Sequence, residues 1–237
     1  MEREEIEEML SHVVFIHGDT GVVGSGFLLG ETQDLKMVAT ARHVVVGLAP
    51  EAATIQHCLT GNSVRVGSGR TSGERQFFSA NTDNSDASIL IFSAPELTVP
   101  TVPIVERIED VHVGMQVGWM GCPGFQLGHP CFFSGHISAA LGRSYLVDGV
   151  AAPGVSGGPV FCRTELGLRI VGSISAYRPG RKKLDDDSVV LLPGLSVAND
   201  VSFYKTVGLT EHETESGDIV GTLKNLGSAE EVNRSPG

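Results

Sequence analysis

The chain is poor in aromatic residues, 6% of 237, and carries no uninterrupted apolar run near the roughly 18 residues that a membrane-spanning helix needs. A membrane span is therefore not expected. It also lacks an excess of basic charge: 17 Lys and Arg stand against 28 Asp and Glu, a formal charge of −11. Binding to a phosphate backbone rests on clustered Lys and Arg, so a nucleic-acid partner is set aside. The four cysteines, Cys58, Cys122, Cys131 and Cys162, form no CxxC pair, so mostly buried thiols are expected rather than disulfides or zinc, and no metal or cofactor is expected. The opening MEREEIEEML is acidic where a secretory signal starts basic and turns apolar, which points to a cytoplasmic setting.

What is present is glycine, 30 residues of it, between short apolar runs such as HVVFI, GSGFLLG, KMVATA and ASILIF. Such runs at close spacing predict antiparallel β-strands closed into barrels or sandwiches, not βαβ units. The segment TVPTVPIVERIED at 98–110 interrupts the pattern with prolines and charges. A second strand series follows it, so two similar halves are expected. Residues 2–10 could make a turn or two of helix, but so short an acidic piece reads as a solvated arm. RPGRKKLDDD at 178–187 reads as an exposed hairpin tip. Beyond Leu209 the chain is polar, with only IVGTLKNL apolar enough to dock, and a loose tail is expected.

Three stretches carry possible chemistry. VATARHVV places His43 after an apolar strand, NSDASILIF places Asp86 before another, and GVSGGPVF places Ser156 on a glycine turn. A hydroxyl is a weak nucleophile near neutral pH. It needs a base within hydrogen-bond reach, and that base needs a carboxylate to fix its tautomer. Each stretch alone says little. Seven other histidines are present (His12, His17, His57, His112, His129, His136 and His212), and Asp83 competes with Asp86.

Together TARHVV, DASILIF and GVSGGPVF resemble the His, Asp and Ser signatures of chymotrypsin-like serine proteases, in the style of the bacterial high-temperature-requirement branch. GSGFLL, GWMGCPG, FFSGHISA, IVGSISAY and PGLSVA agree with that resemblance, which covers about Val13 to Leu209. It implies an all-β fold of two antiparallel six-stranded β-barrels with the site in the crevice between them. The expected parts are an acidic arm at 1–12, a first barrel at 13–103, a second at 104–209 and a short helical or flexible tail at 210–237.

The resemblance also implies roles. Ser156 would attack the scissile carbonyl of a protein or peptide substrate, His43 would carry the proton and Asp86 would orient His43. The N–H groups of Gly154 and Ser156 would form the oxyanion hole. The pocket base would lie near Val150, with Ser175, Ala176, Tyr177 and Gly194 as its walls. With no acid at the base and Tyr177 at the mouth, a small or medium aliphatic P1 residue is expected.

Val155 stands where relatives activated by cleavage carry an acid that pairs with a new amino terminus. Such activation is not expected here, and the turn is either preformed or ordered by substrate, a protein activator or another segment. Only about thirty residues follow Leu209, too few for the PDZ domain usual in that branch. A nucleophile-elbow hydrolase needs its histidine after the serine, and only His212, in the polar tail, follows Ser156. The remaining alternative is a catalytically silent protease-fold module that binds a peptide or partner, although none of the three signatures is damaged.

Overall fold

The computed structural model describes residues 3–31, 35–48, 52–67, 75–81, 85–100, 104–105, 108–125, 129–183, 189–205, 207–213 and 219–225. Strands β1 (Val13–Gly18), β2 (Val23–Glu31), β3 (Leu35–Ala41), β4 (Ala53–His57), β5 (Ser63–Gly67), β6 (Arg75–Asn81) and β7 (Ala87–Ser93) close into one barrel in the order β1-β2-β3-β7-β6-β5-β4. Strands β8 (Gln116–Gly121), β9 (Cys131–Leu141), β10 (Ser144–Val147), β11 (Pro159–Thr164), β12 (Gly167–Lys183) and β13 (Val189–Asp200) close a second in the order β10-β13-β12-β11-β8-β9. The second has the six antiparallel strands expected. The first has one more, because residues 63–81 enter it as two strands, which meet side by side in a short parallel pairing, Val66 with Arg75 and Gly67 with Gln76.

The two-residue period of a strand explains how the barrels share a core. Along β7, Leu90 and Phe92 point into the first barrel, while Ala87, Ile89 and Ile91 join an apolar cluster running through the second barrel. β3 does the same, with Val38 inward and Met37 and Ala39 outward. These two strands, buried on both faces, form the wall between the barrels, and the segments that follow β3 and precede β7 carry His43 and Asp86.

Two terminal pieces differ from expectation. Residues Arg3–Ser11 form a docked helix, α1, not a solvated arm. Met9 is buried in the shared core and Ile6 and Leu10 pack against it, so one apolar side of the short helix outweighs its acidic composition. Arg163 of β11 pairs with Glu5, and His57 Nε2 lies 2.8 Å from the Ser11 carbonyl in the last turn. At the other end, a short helix α3 (Ser202–Lys205; α2, Arg42–Leu48, follows β3) leads into an antiparallel hairpin of β14 (Val207–Glu213) and β15 (Ile219–Asn225). The expected helical or loose tail is therefore partly a β-hairpin, which uses the IVGTLKNL segment as its second strand. The tip of the β12–β13 hairpin, residues 184–188, lies outside the described residues.

Candidate active site

His43 sits in the first turn of α2 (Arg42–Leu48), a helix anchored by buried Val44, Val45 and Leu48. Its exposed N-terminus is closed by Asp86, just before β7. The Asp86 carbonyl accepts from Arg42 N–H at 3.0 Å, and Asp86 Oδ1 accepts from His43 N–H at 2.9 Å. A carboxylate is favoured at a helix N-terminus, where N–H groups lack intrahelical partners. The same side chain reaches the imidazole: His43 Nδ1 lies 2.7 Å from Asp86 Oδ2. With Nδ1–H donating to Asp86, Nε2 is left as the acceptor, the tautomer that a general base needs.

A third donor comes from the second barrel. In β12 the pairing with β13 skips Ser175, between Ile174 opposite Ala198 and Ala176 opposite Val197, and this bulge turns the residue out of the ladder. Ser175 Oγ donates to Asp86 Oδ2 at 2.7 Å. Burial opposes ionisation of Asp86, but the hydrogen bonds from His43 and Ser175 outweigh it and hold the carboxyl below its usual range. Ser175, expected in a pocket wall, is thus a ligand of the carboxylate. Asp83 lies outside the described residues.

Ser156 lies on a turn fixed peptide by peptide. Gly124 N–H donates to the Pro153 carbonyl at 2.8 Å and Gly158 N–H to the Val155 carbonyl at 2.9 Å. Across a trans peptide the N–H points opposite to the C=O. These two anchors therefore aim the N–H groups of Gly154 and Ser156 the other way, and neither has an acceptor among the described residues. The turn thus presents two N–H donors from nearby peptides, the kind of group from which an oxyanion hole is built. Gly154 and Gly157 have φ of +94° and +86°, and a Cβ on Gly157 would stand 2.2 Å from the Ser25 carbonyl oxygen. Val155, fully buried, fills the position beneath the turn with apolar packing.

Ser156 Oγ itself donates to the Ser175 carbonyl at 3.3 Å, and among the described residues no hydrogen bond joins it to His43. Of the other expected pocket residues, Val150 is 56% exposed and Ala176 is exposed, while Tyr177 is half-buried with its hydroxyl accepting from Gly194 N–H at 2.8 Å. That bond lays the phenol across β12 and β13. Behind the site, Tyr204 of α3 is buried against Phe27, its hydroxyl 2.8 Å from Ser173 Oγ and donating to the Thr40 carbonyl at 3.2 Å. Burial pushes its phenol pKa up. Cys58 and Cys122, from different barrels, bring their sulfurs to 3.1 Å as thiols; the bond to Cys122 and burial both push Cys58 up. Among the described residues no group of three or more His, Cys, Asp or Glu could hold a metal ion, and no helix is long and apolar enough to cross a membrane.

Two barrels with His43 and Asp86 on one and Ser156 on the other define a chymotrypsin-like fold. The chain belongs to the family of trypsin-like peptidase domains, whose model matches residues 24–172, the stretch holding all three residues. Among solved structures it is similar to the inactive form of a serine-to-alanine mutant of Rv3671c from M. tuberculosis H37Rv, at 19% identity and a TM-score of 0.57, covering 82% of this chain and 83% of that one. No curated protein matches it by sequence. The fold implies protein or peptide substrates.

Proposed function

We propose that the protein is a serine endopeptidase, with His43, Asp86 and Ser156 as its triad and the N–H groups of Gly154 and Ser156 as its oxyanion hole. The observation that carries this reading is the His43–Asp86–Ser175 hydrogen-bond set together with an anchored Ser156 turn whose Gly154 and Ser156 N–H groups have no acceptor among the described residues. Ser156 Oγ leaves the Ser175 carbonyl by a rotamer change, passes its proton to His43 Nε2 and attacks the scissile carbon. The resulting oxyanion settles on the two N–H groups, each such donor supplying about 3–4 kcal/mol to the transition state. His43 then protonates the leaving amine, and water repeats the sequence to release the acyl group. The bonds from Gly124 and Gly158 that already hold the turn favour a hole formed without an activator. Tyr177, tied to Gly194, limits the P1 side chain to small or medium aliphatic groups.

The bond from Ser156 to the Ser175 carbonyl favours one other reading, a silent protease-fold module that binds peptides. A fluorophosphonate probe separates the two. The native protein should label, and Ser156→Ala and His43→Ala should not; failure of the native protein to label, with cell extract added or without, leaves the binding module. Profiling the active protein on a peptide library reads the pocket, and strong preference for Arg or Lys at P1 would overturn that part.

A further inference from the structure

Strand β2, paired with the strand β3 that leads to His43, also holds the serine's turn. Ser25 of β2 is fully buried, and every polar group it has is used. Its hydroxyl donates to the Gly154 carbonyl at 2.8 Å and accepts from Cys122 N–H at 2.9 Å. Its N–H donates to the Ser156 carbonyl at 2.8 Å, and its carbonyl accepts from Thr40 Oγ1 at 2.7 Å. Thr40 lies on β3, three residues before His43.

The four carbonyls of Pro153 to Ser156 each have one of these anchors. Two are held from within the second barrel, by Gly124 and Gly158; among the described residues the other two, Gly154 and Ser156, are held only by Ser25, from the first barrel. Nucleophile and base lie on different barrels, so their alignment depends on what crosses between them. We propose that Ser25 is the positioning residue of this site: it fixes the oxyanion turn to the strand pair that carries His43, the work that a buried ion pair would do were Val155 acidic. The inference rests on the protease reading above.

Substituting Ser25→Ala removes the hydroxyl's two bonds and keeps the backbone bond to Ser156. Phosphonylation of Ser156 and kcat on a peptide substrate should fall by about 10- to 100-fold, less than the loss of a whole donor, with KM changed no more than about threefold. Ser25→Thr, which keeps the hydroxyl, should recover at least about tenfold of the loss, and Ser25→Cys, with a weak hydrogen-bonding sulfur, should not. Hydrogen exchange of the segment 153–161, followed by mass spectrometry, should quicken in Ser25→Ala. Rates and exchange like those of the native protein, or a fall in Tm alone, overturn the assignment. If the native protein reacts with no probe, the protease reading fails, and the exchange comparison still decides whether Ser25 holds the turn.

Discussion

His43 and Asp86, from the first barrel, are joined by side-chain hydrogen bonds, whereas Ser156, from the second, is placed by the carbonyls and N–H groups of its turn. The difference follows from what each barrel must deliver. A base needs its tautomer fixed, and one carboxylate hydrogen bond does that; an oxyanion hole needs N–H groups aimed within tenths of an ångström, which takes a turn whose peptides are each anchored. Side-chain damage should therefore cost rate with little loss of fold, and backbone damage should cost both.

Asp86→Asn tests the first half and should show the largest effect. The amide would present an NH₂ to His43 Nδ1 and favour the wrong tautomer, so kcat should fall by about 10⁴-fold, the loss typical of this change in a triad. Stopped or initial-rate peptide hydrolysis measures it. A loss under tenfold would mean that the carboxylate serves only to close α2.

Gly157→Ala tests the second half. At φ +86°, with its new Cβ 2.2 Å from the Ser25 carbonyl and 2.3 Å from Thr40 Oγ1, the turn must move against backbone that is itself bonded. A cost of about 3–5 kcal/mol is expected, or a Tm lower by roughly 10 °C, together with loss of labelling at Ser156. Calorimetry showing an unchanged Tm would break the contrast between the barrels.

This contrast also decides what could be read from sequence. TARHVV, DASILIF and GVSGGPVF are local signatures, and local signatures name the reacting residues because turn and helix-start chemistry is written within a few positions. The role of Ser25 was not legible, although GSGFLL was part of the resemblance, because its contact with Gly154 spans 129 residues. Ser175 was visible as a neighbour of the pocket but not as a donor to Asp86, since that depends on a bulge that no residue type announces. The docking of α1 was missed for a related reason. Its glutamates are plain in the sequence, while the core that takes Met9 exists only once both barrels have closed.

The smallest expected effect lies at that docking point, where the first barrel again relies on a side chain. His57, nearly buried, meets Thr60 Oγ1 at Nδ1 and the Ser11 carbonyl at Nε2. Burial lowers its pKa most, the bond to Ser11 opposes this, and nearby His12 lowers it further; the net direction is down. In the unfolded chain His57 takes a proton as pH falls through about 6.5, while in the folded chain it stays neutral to a lower pH. Unfolding thus binds protons in that interval, so the stability contributed by the neutral ring is complete above about pH 7 and is lost as pH falls toward the folded value. Urea unfolding of the native protein and His57→Gln between pH 7.5 and pH 5 isolates this term, because groups common to both cancel. The native advantage should shrink toward acid. An advantage that is constant or grows would show that His57 is held as a cation, and that α1 is joined to the first barrel by charge instead of by a neutral hydrogen-bonded ring.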